Sequence, residues 1–166
     1  MDIDHILAVF NRHEVRYLLI GGVHFLLRHK PVLTFDIDFW IDDDGDNRLR
    51  CERALTDLKA EWGQSEQTWG PVSSLPAGWL ARQSVYCLSS PHGAIDIFRT
   101  ICGLASWRDS FATSVSGQTA AGVAYRGLCD EDMLKCQLSL DPEDRKNDRI
   151  RDLKKVLLPH EPQPPK

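Results

Sequence analysis

No two cysteines in this 166-residue chain lie two or three positions apart. The five thiols, Cys51, Cys87, Cys102, Cys129 and Cys136, are also odd in number, which argues against a zinc knuckle or a disulfide scaffold and for reduced thiols in cytosol. An excess of positive charge is missing too, since 20 Lys and Arg stand against 24 Asp and Glu for a formal charge of -4. That balance excludes a general nucleic-acid coat and confines any RNA contact to a local basic patch. No apolar run approaches the roughly eighteen residues needed to cross a bilayer. The start, Met1-Asp2-Ile3-Asp4-His5, has neither the basic nor the long apolar region of a signal peptide. The expectation is a soluble cytoplasmic protein with no membrane partner. Internal repeats are absent, and the only low-complexity stretch is the Pro-rich end at 159–166, which reads as a disordered tail. With 42% apolar residues, the rest suits a single domain over 1–158 with a sizeable core.

Against that background, Asp36 and Asp38 stand out in the strand-like run Thr34-Phe35-Asp36-Ile37-Asp38-Phe39-Trp40-Ile41. Strand side chains alternate, so both carboxylates leave one face while Phe35, Ile37 and Phe39 leave the other. Two such charges at about 4 Å repel by roughly 4 kcal/mol at an effective dielectric of about 20, so a positive group between them is expected. A hard divalent cation serving phosphate chemistry fits, because it takes carboxylate oxygens and holds phosphates on its remaining positions. Upstream, Tyr17-Leu18-Leu19-Ile20 reads as a buried strand that breaks at Gly21-Gly22, and a short helix follows from Val23 to Pro31. Glycines let backbone approach a polyphosphate, and helix-start N–H groups point at anions.

Ile20-Gly21-Gly22, thirteen further residues and Asp36-Ile37-Asp38-Phe39, in that order, resemble the signature of the nucleotidyltransferases of the DNA polymerase β superfamily. The resemblance implies a third carboxylate on a neighbouring strand, and Asp96 in Gly93-Ala94-Ile95-Asp96-Ile97-Phe98 suits it. The plain alternative for Asp96 is a surface pair with Arg99 or Arg82. Thr34 to Asp38 looks most like the Thr-x-Asp-apolar-Asp of small bacterial toxin-antitoxin and antibiotic-modifying members. Many of those carry an Arg where this chain has Val32, so another cation is needed at the phosphates.

The implied fold is α/β (α+β): a mixed β-sheet flanked by helices, with a core about 1–126 and C-terminal helices about 129–158. The implied activity is metal-dependent transfer of a nucleoside monophosphate from an NTP to an acceptor hydroxyl on RNA, protein or a small molecule such as an antibiotic. Mg²⁺, with Mn²⁺ as the alternative, is the implied cofactor, held by Asp36, Asp38 and Asp96, with Asp96 also as base. Gly21, Gly22, Arg28, Lys30 and Lys135 are the implied nucleotide-binding residues, Arg99 is a further cation, and a cognate antitoxin is a possible partner. A non-catalytic nucleotide-binding or protein-interaction module with the same fold is the competing reading.

Elsewhere, Asp2 or Asp4 is expected to cap a helix ending near His13, and Asp46 or Asn47 one running to Trp62. Asp42 to Asp46 reads as a solvated turn, and Trp69 and Trp79 as anchors of a long loop. Ser84–Leu88 and the Asp96 strand suggest an antiparallel hairpin, and Val115 to Tyr125 a smaller one. A last helix is expected to open at Asp141-Pro142-Glu143. The mixed charges of 145–155 read as a solvated face or a basic strip for RNA.

Overall fold

A computed structural model describes residues 1–158, so the tail expected at 159–166 lies outside the described residues. Asp2 accepts a hydrogen bond from the His5 N–H and starts α1 (Ile3–Arg12), whose Ile6, Leu7, Val9 and Phe10 are buried. Strand β1 (Tyr17–Ile20) runs directly into α2 (Gly21–Arg28), which begins at the first glycine rather than after a turn. Strand β2 (Asp36–Ile41) follows, then α3 (Gly45–Asp57). The cap of α3 is Asp44, two or three residues earlier than expected, and it accepts from the N–H groups of Asp46 and Asn47. Asn47 is instead fully buried, donating to the Arg16 and Asp42 carbonyls and accepting from the Arg16 N–H. The helix stops five residues short of Trp62, because the chain reverses at Lys59 with φ 53° and Glu61–Trp62 (β3) pairs with Gly70–Pro71 (β4).

In the long loop, Trp79 is buried against Trp62 and Tyr86, while Trp69 stays exposed. Strands β5 (Val85–Leu88) and β6 (Ala94–Phe98) form the expected antiparallel hairpin. After α4 (Trp107–Ala112), β7 (Val115–Gln118) and β8 (Ala124–Gly127) form the second. The chain closes with α5 (Asp130–Ser139) and α6 (Asn147–Leu157). The last helix starts later than Pro142 suggests. Asp141 to Asp144 close a turn, and Arg145 donates to the carbonyls of Leu138 and Leu140 at the end of α5.

Six strands make one mixed sheet in the order β5-β6-β2-β1-β8-β7, with β2 parallel to β6 and β1 parallel to β8. Each face carries its own apolar cluster. Tyr17, Leu19, Ile37, Phe39, Ile41, Ile95 and Ile97 pack with α1 and α3 on one face. Leu18, Trp40, Phe25, Leu128, Met133 and Leu153 pack on the other, where α5 and α6 lie. Alternation along β2 puts Asp36 and Asp38 on the face of Trp40, so the C-terminal helices roof the carboxylates. Phe35 departs from the expected pattern: it precedes the strand and is 75% exposed. Among the described residues, no helix is long and apolar enough to cross a membrane.

Candidate active site

The register of β2 against β6 sets Asp38 directly opposite Asp96, with Asp36 one step along the same face. Oxygen atoms of Asp36, Asp38 and Asp96 come within 4.8 Å of one another, and among the described residues this is the one such group of three. Burial, reinforced by the charges of Asp36 and Asp96, pushes the Asp38 carboxyl up to about 7. The Gly22 N–H and the Arg149 guanidinium act on it in the opposite sense. Asp96 is also raised, by burial first and by Asp36 further, against the Cys87 thiol beside it on β5. Thr34 donates to the Asp36 carboxylate at 3.1 Å and so orients it.

The two glycines have a steric reason in this place. Gly21 has φ +67°, and a Cβ there would stand 1.8 Å from Asp38 Oδ2. A Cβ on Gly22 would stand 2.3 Å from Thr34 Oγ1 and 3.2 Å from Arg149 Nη2. The start of α2 thus lies directly against the acidic cluster, which only residues without a side chain permit.

The cations named from the sequence are mostly held by other acids. Arg28 forms a two-pronged pair with Asp130 at 2.7 and 2.8 Å, which His29 joins at 3.0 Å. Lys30 pairs with Asp152, Lys135 with Asp132 one turn away at 2.8 Å, and Arg99 with Asp43 at 2.7 and 2.8 Å. Val32, at the position of the missing Arg, packs against the second apolar cluster. The cation that does reach the cluster is Arg149 of α6. Burial lowers its pKa, and the charges of Asp38 and Asp36 oppose that shift. Sequence reading missed it because its segment has the look of a solvated helix. The available signal was its place in the first turn, where a cation opposes the helix dipole.

Beside the carboxylates opens a cleft of about 470 Å³ between the sheet and the C-terminal helices. Gly21, Asp38 and Arg149 line one part of it, and Phe25, Phe98, Ile101, Met133, Leu140 and Leu153 make much of the rest apolar. His24, just after the glycines, faces elsewhere: it is fully buried, bonds to the Leu128 carbonyl at 2.8 Å, and is held by burial down at about 4.

A mixed sheet with paired carboxylates beneath a glycine-started helix defines a nucleotidyltransferase-like fold. The comparison with solved structures agrees. The chain is similar to a protein from Thermotoga maritima, provisionally assigned as a nucleotidyltransferase, with a TM-score of 0.54 and 17% identity over 92% of this chain and 86% of that one. No protein-family model matches the sequence, and no curated protein does.

Proposed function

We propose that the chain is a divalent-metal-dependent nucleotidyltransferase that moves a nucleoside monophosphate from an NTP to an acceptor hydroxyl. The observation that carries this reading is the convergence of Asp36, Asp38 and Asp96 within 4.8 Å beside the backbone of Gly21 and Gly22. The donor set fits a hard cation: three carboxylates and no imidazole, with the Asp38 carboxyl pushed up to about 7 by burial first and by the charges of Asp36 and Asp96 further.

Mg²⁺, or Mn²⁺ in its place, would supply charge neutralisation at the attacking and leaving oxygens of an in-line displacement. Asp36 and Asp38 would hold it on the strand, and Thr34 fixes the Asp36 carboxylate. The N–H groups at the start of α2, of which that of Gly22 already acts on the Asp38 carboxyl, would face the phosphates. Asp96, more basic than an ordinary carboxylate, takes the proton from the acceptor hydroxyl. The acceptor oxygen bonds to the α-phosphorus as the bond to the bridging oxygen breaks, and pyrophosphate leaves. The apolar cleft has room for the base or an acceptor ring.

The test is to incubate the purified chain with Mg²⁺ and each α-³²P-labelled NTP, using tRNA, protein and hydroxylated small molecules as acceptor arms. The expected result is label on one acceptor class, absent with γ-³²P label and absent in Asp36→Ala. Metal and nucleotide binding with no acceptor labelled would favour the non-catalytic module.

A further inference from the structure

Arg149 differs from the other cations considered around the site in what holds it. Arg28, Lys30, Lys135 and Arg99 each pair with an acid of their own. Arg149 has no ion pair and no hydrogen bond among the described residues, although its side chain is partly buried. A guanidinium carries five donors, and those of Arg149 find no protein partner among the described residues while keeping access to solvent, so they are available to a ligand. Its position in the first turn of α6 is unfavourable for a cation as well. Neither feature serves stability, whereas both suit a site that receives an anion. Arg149 Nη2 stands 3.2 Å from where a Gly22 Cβ would be, and its Cζ lies 5.7 Å from the Phe25 ring centre, which steadies the stem. Asp38 and Gly21 line the same cleft.

We propose that Arg149 binds the phosphates of the nucleotide, in the role Val32 cannot fill, and that in the free protein it stands beyond ion-pair distance as a weak counter-charge to the carboxylates. α6 is then part of the active site. The proposal rests on the nucleotidyl-transfer reading and adds a consequence of opposite signs. With metal alone, Arg149 is a competing positive charge beside the carboxylates. With phosphates present it is a binding group. Removing the charge should therefore leave metal binding as tight or tighter, while weakening that of the anion.

The experiment uses the full chain as wild type, Arg149→Gln and Arg149→Lys, with calorimetric titration of Mn²⁺ alone and of inorganic tripolyphosphate in the presence of Mg²⁺. Tripolyphosphate makes the result independent of base preference. Arg149→Gln is expected to bind Mn²⁺ at least as tightly as wild type and tripolyphosphate about tenfold more weakly or worse, as loss of a charge-assisted contact implies. Arg149→Lys should recover part of the anion affinity, and thermal melts of all three establish that they are folded. Unchanged tripolyphosphate affinity in a folded Arg149→Gln overturns the assignment, as does a parallel loss of Mn²⁺ binding, the mark of a merely structural residue. A wild type that takes no Mn²⁺ would contradict the proposed function itself and the assignment with it. A wild type that takes both ligands, with Arg149→Gln indifferent, would contradict the assignment alone.

Discussion

Asp38 and Asp96 face each other in register across the parallel strands β2 and β6, near the middle of the sheet. Like charges in that position work against strand pairing, and Asp36 on the same face adds to the cost. The surrounding contacts do little to relieve it: Arg149 is beyond ion-pair distance, and the Asp38 carboxyl sits at about 7. A sheet that tolerates this repulsion does so for a ligand that removes it.

Replacing Asp38 by Asn should therefore stabilise the metal-free protein while abolishing Mn²⁺ binding. For a chain of this size about 1 kcal/mol corresponds to roughly 2–4 °C in Tm, so a rise of a few degrees is expected without metal. A thermal melt in chelator checks it. A marked fall would make Asp38 a structural residue.

The raised pKa of Asp38 also sets a pH dependence. Its folded value, about 7, lies above the ordinary 3.8, so between those limits the folded state holds the proton more firmly than the unfolded one. This group's contribution to stability is then full below about pH 4 and is lost as pH rises towards 7. Metal affinity runs the other way, since the cation competes with that proton. Mn²⁺ titrations at about pH 6 and about pH 8 should show tighter binding at the higher value, and melts of Asp38→Asn should lack the wild-type decline between about pH 4 and about pH 7.

Gly21→Ala introduces strain twice. A non-glycine residue at φ +67° costs on the order of 1–3 kcal/mol, and the new methyl would collide with Asp38 Oδ2. A lowered Tm with weakened Mn²⁺ binding is expected from paired melts and titrations.

Arg28→Ala separates a structural cation from a phosphate-binding one. It would leave Asp130, whose side chain is only 9% exposed, with His29 as its remaining partner, and should cost about 2 kcal/mol in denaturant unfolding. Binding of Mn²⁺ and of Mg²⁺-tripolyphosphate should be unchanged in the fraction that stays folded.

Much of the layout is legible in the sequence because it depends on local periodicity. The alternation from Asp36 to Ile41 places both carboxylates on one face, and the turn at Ser90 and Gly93 joins β5 to the strand of Asp96. Other features depend on contacts distant in the chain. Nothing near Arg28 predicts Asp130 as its partner 102 residues away, and nothing near Gly22 predicts Arg149 beside it. Local charge patterning likewise reads α6 as a solvated face, when its first turn reaches the acidic cluster. The start of α6 is misread for a related reason: Pro142 suits a first helical turn, yet Arg145 folds that segment back to finish α5.

The most direct test of the central claim is anomalous diffraction from crystals of the chain soaked with Mn²⁺. The account predicts a peak among the three carboxylates, within about 2.0–2.4 Å of oxygens from Asp36 and Asp38 as hard-cation coordination requires. A well-ordered crystal with no peak there, or with the peak at another set of residues, would contradict it.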